Sequence, residues 1–489
     1  MRQLVPVLNV VGFVIVLFSL TLTIPLGISW WMADGAMLAF AEALGIGVAA
    51  GGLLYLFTRR HRRELQPRDG FLLVSLVWAL LPVIAAIPLQ IHFSRMGMPL
   101  SFTDAYFEAM SGLTTTGSTV LTGIGELPVS INSWRCTLVW IGGMGILVLA
   151  VAVLPLLGVG GSQIYRAETP GPMKDEKLTP RITSTAKGLY AIYMSISILC
   201  MLSYKAAGMS WLDAYAHMGS TMGLGGFSTT DAGFIGFASP AMDFVACVFM
   251  VIAGINFATH FYAIRHRSLG TYLRCAQTPI YIGLLVGTSL FVSFWLYIKG
   301  IYPDVWQALH YGFFNTISVA TTTGFANVDY ASWPLVLPVI MLFVSSFATS
   351  AGSTGGGIKL IRMIILVKQA RREMVRILHP RAVNPVRLAG LPVANKVIFS
   401  ILAFMLIYGG CIILMTFVLL LSGMDGLTAF SAVFASLNNT GPGLGDVGPA
   451  THYGHLSALQ TWVCTFAMLI GRLELFTVLV LFTPEFWRK

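Results

Sequence analysis

Long apolar runs separated by short polar segments dominate the chain, and most contain about twenty residues, the length that a helix needs to cross a bilayer. Two such runs open the chain, at about residues 4–27 and 36–57. The same order then occurs four times: a long apolar run, a shorter apolar segment, a polar loop and a second long run. The pattern predicts an all-α polytopic membrane protein with ten full spans and four half-length segments.

The four short segments lead into related loops that are rich in threonine and glycine. A helix of about a dozen residues extends only about 18 Å, so it enters and leaves the bilayer on the same side. Non-helical backbone at that depth is tolerated only where it lines water or is buried in protein. The loops therefore predict a pore. Their glycines recur about every hundred residues, at Gly117, Gly226, Gly324 and Gly441.

The repeat predicts five parts of the chain. Two leading transmembrane helices with a basic inner loop occupy residues 1–69. Four repeats, each of a first helix, a pore helix and a second helix, surround a central pore and occupy residues 70–187, 188–277, 278–392 and 393–489. The four loops differ in sequence, so the predicted symmetry is only pseudo-fourfold.

Composition supports the membrane assignment, since 56% of the residues are hydrophobic and only 10% are charged, whereas soluble domains carry about 25% charged residues. The net charge of +10 does not indicate a nucleic-acid partner. Most Lys and Arg residues lie in loops that the even number of spans places on one face, as the positive-inside rule requires. We therefore predict a multi-pass protein of the inner (cytoplasmic) membrane, surrounded by lipid, with both termini cytoplasmic.

The loops offer backbone oxygens as cation ligands. Glycine permits backbone angles that turn carbonyls inward, and rings of carbonyls replace the hydration shell of an alkali cation. No carboxylate lies within the loops, which favours a monovalent cation over calcium. The predicted ligands are Thr115, Thr116 and Gly117 in the first loop, Leu224, Gly225 and Gly226 in the second, Thr322, Thr323 and Gly324 in the third, and Asn439, Thr440 and Gly441 in the fourth.

The last span of the third repeat is interrupted by a glycine-rich stretch without bulky side chains, which cannot hold a rigid helix well. One interpretation is a flexible plug beneath the filter, and the other is a close crossing of two helices. The residues predicted to form this gate are Gly352, Ser353, Thr354, Gly355, Gly356 and Gly357.

Arg472 is an ionisable residue within the apolar run of the last predicted span. A charge at this depth is expensive, and it is a functional hypothesis by default. It either places a fixed positive charge in the pore or forms a structural ion pair with a neighbouring span. Glu474 lies on another face of the helix and need not be its partner.

These motifs resemble those of the translocation subunits of Trk-type potassium-uptake systems, in the superfamily of Trk, Ktr and HKT transporters. The two extra leading spans make the chain TrkH-like. The resemblance implies potassium as the transported ion, an intramembrane loop that blocks the pore, and a gating role for Arg472. It also implies a homodimer that binds cytosolic TrkA-like nucleotide-binding subunits of the RCK type. Leu224 departs from the family, whose members more often have a small or polar residue there.

Two other classes remain open. A secondary transporter that couples potassium to protons or sodium also uses broken helices and repeats, although its repeats are usually two and often inverted. A membrane-embedded enzyme or scaffold is a further class. The sequence shows no P-loop and no nucleophile elbow, so we predict no catalytic activity and no organic cofactor.

Overall fold

A computed structural model describes residues 4–60, 66–148 and 182–488. Within these ranges six helices are long and apolar enough to cross a membrane, or eight if each of two bent pairs counts as one span. The predicted continuation of one span to residue 157, and most of the basic loop at residues 166–187, lie outside the described residues.

The two leading spans pack tightly against each other. Helices α1 (Val5–Leu20) and α2 (Thr23–Met32) form one apolar stretch, and α3 (Met37–Thr58) returns beside it. A methyl group built on Gly12 would lie 2.9 Å from the carbonyl oxygen of Gly51, so the two backbones approach closely. Small residues permit such packing between membrane helices.

The first repeat contains α4 (Pro67–Arg95), α5 (Phe102–Leu113) and α6 (Val129–Val148). The short apolar segment before the first loop forms the helix α5, which is 12 residues long. Its start follows from Ser101, whose hydroxyl accepts a hydrogen bond from the Asp104 backbone N–H.

The other repeats keep the same order. The second contains α7 (Ile182–Ala206), α8 (Trp211–Gly223), α9 (Pro240–Ala253), α10 (Phe257–Arg265) and α11 (Gly270–Arg274). The third contains α12 (Thr278–Ile298), α13 (Val305–Ala320), α14 (Val336–Ser345), α15 (Leu360–Leu378) and an antiparallel hairpin of β1 (Arg387–Leu388) and β2 (Leu391–Pro392), with Arg387 opposite Pro392. The fourth contains α16 (Asn395–Leu421), α17 (Gly426–Asn438), α18 (Ala458–Arg472), α19 (Phe476–Leu479) and α20 (Pro484–Trp487).

The second helices of three repeats are broken. The sequence predicted the break in the third repeat, whereas its prediction of continuous spans in the second and fourth repeats is wrong. Helices α9 and α10 meet at 91°, and α18 meets the short helices after it at 107°. Asn256 starts α10 by accepting a hydrogen bond from the Ala258 N–H. Glu474 and Leu475, with φ of 57° and 49°, end the last helix. In the third repeat α14 stops at Ser345.

Burial separates the pore helices from the surrounding helices. The short helices α5, α8, α13 and α17 are buried over most of their lengths. Long helices such as α16 expose large apolar side chains, including Phe399, Leu406 and Leu414. The outer surface is therefore suited to lipid, and the four short helices form the centre of the molecule.

Candidate functional site: a ring of four loops

Each short helix ends in the same backbone conformation, although the sequences differ. The residue two positions before the glycine of each loop has a left-handed conformation: Thr115 (φ 55°), Leu224 (56°), Thr322 (63°) and Asn439 (54°). The glycines have positive φ as well, at 85°, 67°, 88° and 91°. Leu224 thus adopts the same backbone as threonine or asparagine, and its side chain is fully buried in the apolar core of the second repeat.

The four loops meet in a closed ring. Each glycine approaches the backbone of the next loop so closely that a side chain would collide with it. A methyl group built on each glycine would lie under 3.0 Å from the nearest carbonyl oxygen of the next loop. The pairs are Gly117 with Gly225 (1.9 Å), Gly226 with Thr323 (2.2 Å), Gly324 with Thr440 (2.3 Å) and Gly441 with Thr116 (2.7 Å). The order follows the chain and returns to its beginning.

The ring carries carbonyl oxygens without partners. Buried carbonyls in proteins are nearly always hydrogen-bonded. At the position before each ring glycine, the carbonyl oxygen accepts no hydrogen bond from any group within the described ranges. These buried residues are Thr116, Gly225, Thr323 and Thr440. Four unpaired carbonyls around one axis form a set of ligands that suits a dehydrated alkali cation.

The threonine hydroxyls near the ring mostly bond to protein. The hydroxyls of Thr114 and Thr116 lie 2.8 Å apart, as do those of Thr321 and Thr323. The Thr322 hydroxyl accepts a hydrogen bond from a backbone N–H. These hydroxyls thus fix the shape of the loops. The carbonyls, together with the Thr115 hydroxyl, which has no partner among the described residues, are the oxygens left over for an ion.

One cavity opens above the ring. All four glycines, Gly117, Gly226, Gly324 and Gly441, line this cavity of about 90 Å³. Arg135, Asp231 and Tyr453 also line it. The four loops therefore line one shared cavity.

The glycine-rich segment at residues 352–357 lies against the C-terminal ends of the short helices α8, α13 and α17. The Thr354 hydroxyl donates to the carbonyl of Met222, at 2.9 Å, and the Gly356 N–H donates to the Thr322 hydroxyl, at 2.9 Å. A methyl group on Gly356 would lie 2.0 Å from the carbonyl oxygen of Asn438. The segment thus contacts three of the four repeats on the side of the ring away from the cavity.

Arg472 connects this segment to the first repeat. It is 3% exposed, and its guanidinium donates to the carbonyls of Thr354, at 2.9 Å, and Gly142, at 3.1 Å. It lies at the C-terminal end of α18, so its predicted place within a continuous span is wrong. In the described part of the chain it forms no ion pair, and Glu474 pairs with Arg362 instead.

Replacing Gly356 with alanine should open a leak. The new methyl group cannot remain 2.0 Å from the Asn438 carbonyl, so the segment must move away from the pore helix. We expect basal cation flux through reconstituted protein to rise several-fold. Gly410→Ala in the exposed face of α16 meets nothing within 4 Å and is the matched control. Equal leaks from both variants would contradict a plugging role for this segment.

Sequence reasoning missed a set of polar side chains that hold the loops. Glu108, His217 and Asn315 stand at the same offset before their ring glycines. Each contacts the loop beyond its own glycine. The contacts are Glu108 with the Val120 N–H (3.0 Å), His217 with the Ser228 hydroxyl (3.0 Å) and Asn315 with the Asn327 side chain (2.7 Å). The repeated offset could have revealed them.

The fourth repeat uses a neighbouring position for the same purpose. Ala432 stands at the offset of the other three, and the adjacent Ser431 hydroxyl accepts the Leu444 N–H at 2.8 Å. His217 supports the second loop through its contact with Ser228. His310, on the pore helix α13 of the third repeat, contacts the carboxylate of Asp243 at 2.7 Å.

Comparison with known proteins places the chain in a family. A family model described as TrkH, cation transport protein, matches residues 37–285 and 300–489. The Trk system potassium uptake protein TrkH of Halomonas elongata is 46% identical over 99% of both chains. The protein of that name from Escherichia coli K12 is 41% identical over 98% of this chain and 99% of its own.

A solved structure has the same fold. The crystal structure of the potassium transporter TrkH from Vibrio parahaemolyticus is 40% identical in sequence and superposes with a TM-score of 0.91. The match covers 100% of this chain and 99% of that one. The chain belongs to the TrkH family of cation transport proteins.

Proposed function

We propose that this chain forms the pore of a potassium-uptake system and passes potassium and rubidium into the cell across the cytoplasmic membrane. The observation that carries the proposal is the closed ring of unpaired carbonyls. The relatives named as potassium uptake proteins, matched over nearly their whole length, support potassium as the ion.

Selection in this mechanism takes place at the ring. An entering cation sheds water, and the carbonyls of Thr116, Gly225, Thr323 and Thr440 replace it. The membrane potential supplies about 2.3 kcal/mol per 100 mV to each entering charge. No second substrate is required to drive uptake.

The segment at residues 352–357 and Arg472 close the pore beneath the ring. The backbone of the segment occupies the space at the inner ends of the pore helices. The buried guanidinium adds a positive charge that opposes a cation in the same space. Opening requires the segment to withdraw from Met222 and Thr322, and Arg472 moves with it because it holds the Thr354 carbonyl.

A cytosolic regulator of the TrkA-like, nucleotide-binding type would supply the signal for this movement, acting on a homodimer of this chain. Helix α15 begins at Leu360, just after the segment at residues 352–357. Its exposed half carries Arg371 and Arg376, and a cavity of about 450 Å³ beside it is lined by Arg372 and Arg376. This basic surface suits an acidic surface on the regulator.

Replacing Arg372 and Arg376 together with glutamine should weaken the capture of purified regulator by protein in nanodiscs by about tenfold or more, since rim charges govern association. The double variant Arg59→Gln and Arg60→Gln, after α3, removes the same charge elsewhere. Equal losses from both pairs would point to general attraction and contradict docking at α15.

A coupled transporter is the alternative function, and ion flux in liposomes separates the two. Liposomes loaded with potassium chloride and diluted into potassium-free medium generate an inside-negative potential through the pore. We expect them to accumulate radioactive rubidium without sodium and with the pH equal on both sides. Uptake that appears only with a sodium or proton gradient would favour coupling.

A further inference from the structure

A buried ion pair lies directly behind the ring. The Arg135 Nε donates to Glu108 Oε1 at 2.7 Å, and each side chain is only 1% exposed. Glu108 belongs to the pore helix α5, and Arg135 belongs to α6 of the same repeat. A buried pair of this kind stabilises little relative to apolar packing, but losing one partner leaves an uncompensated charge.

The carboxylate holds the first loop. Glu108 Oε2 accepts the backbone N–H of Val120 at 3.0 Å, and the Thr119 hydroxyl lies 3.0 Å from both carboxylate oxygens. Thr119 and Val120 follow Gly117 closely in the chain. The carboxylate therefore fixes the outer side of the first ring segment.

The guanidinium reaches the second loop. Arg135 Nη1 donates to the carbonyl of Ser228 at 3.3 Å, and the guanidinium carbon lies 4.3 Å from the centre of the Phe227 ring. Its Nη2 also donates to the Thr119 hydroxyl, at 3.2 Å. Phe227 and Ser228 come directly after Gly226. One ion pair thus connects the segments that follow two neighbouring ring glycines.

We propose that Glu108 and Arg135 are positioning residues that set the ion preference of the pore by fixing the distance between the first and second loops. The inference rests on the proposed function of the ring. Alkali cations differ mainly in radius, so preference among them depends on how firmly the carbonyls are held apart. The second and third repeats brace their loops with His217 and Asn315, whereas the first uses charge to bind two loops at once.

The test is the ratio of rubidium to sodium flux in liposomes. Glu108→Gln should lower this ratio by tenfold or more. Glu126→Gln removes an exposed acid from the same repeat and should leave the ratio unchanged. A purely structural role would reduce the amount of folded protein and scale both fluxes equally.

Thr119→Val keeps the ion pair and its bond to the Val120 N–H, and it removes the hydroxyl that also joins the pair to the first loop. It serves if Glu108→Gln does not fold. It should also lower the ratio, by a smaller factor. If the wild-type protein prefers rubidium to sodium and both variants keep its flux ratio, the positioning role is overturned and the proposed function is not. A wild type without preference for rubidium over sodium would instead overturn the proposed function.

Discussion

Replacing Arg472 with alanine should raise basal potassium flux by at least about tenfold. A fixed unit charge about 5 Å from a passing cation costs about 3 kcal/mol at an effective dielectric constant of about 20. That energy corresponds to about a hundredfold in rate. The increase in flux will be smaller than this because the segment at residues 352–357 still obstructs the pore. The Thr354 carbonyl, at 2.9 Å, also loses its donor, which loosens that segment.

Arg472→Lys distinguishes charge from packing. It keeps the positive charge but cannot reach both Thr354 and Gly142 with a planar pair of donors. We expect its flux to stay close to wild type, well below that of the alanine variant. If the Arg472→Ala protein folds and has the flux of the wild type, Arg472 only stabilises the structure.

Replacing Gly324 with serine should lower the preference for potassium over sodium by about tenfold, equivalent to about 1.4 kcal/mol. Gly324 has φ of 88°, and a side chain there would approach the Thr440 carbonyl oxygen to 2.3 Å. The ring must then widen between the third and fourth loops, and its carbonyls no longer fit one cation.

The matched control is Gly287→Ser in α12, which has open space around it. Both variants add the same side chain to a glycine, and only one lies in the ring. We would measure flux of each cation separately in liposomes. If the Gly324→Ser protein folds and its selectivity is unchanged, the ring does not select the cation.

The short helices could be predicted because their signals are local. For α5, the hydroxyl of Ser101 marks the start, and the threonine and glycine after Leu113 mark the end. The ring itself could not be derived from one sequence. Spacing shows that four loops exist, but tertiary packing decides which loop touches which, as in the contact between Gly441 and Thr116.

The breaks in the second helices of the second and fourth repeats were missed for a physical reason. Apolar residues suit a membrane whether the helix continues or turns, so composition gives no boundary at Asn256 or Leu475. The offset shared by the polar side chains that hold the loops is visible in the sequence, but the partners of these side chains are not. Glu108 and Arg135 are far apart in sequence, and only the fold shows that one carboxylate and one guanidinium meet behind the ring.

The position of a bound heavy cation tests the central claim most directly. Anomalous diffraction from crystals grown in rubidium or thallium salt locates such an ion without reference to flux. We expect a peak on the axis between the carbonyls of Thr116, Gly225, Thr323 and Thr440. Peaks confined to other parts of the protein, in crystals whose protein conducts rubidium, would contradict a cation filter formed by the four loops.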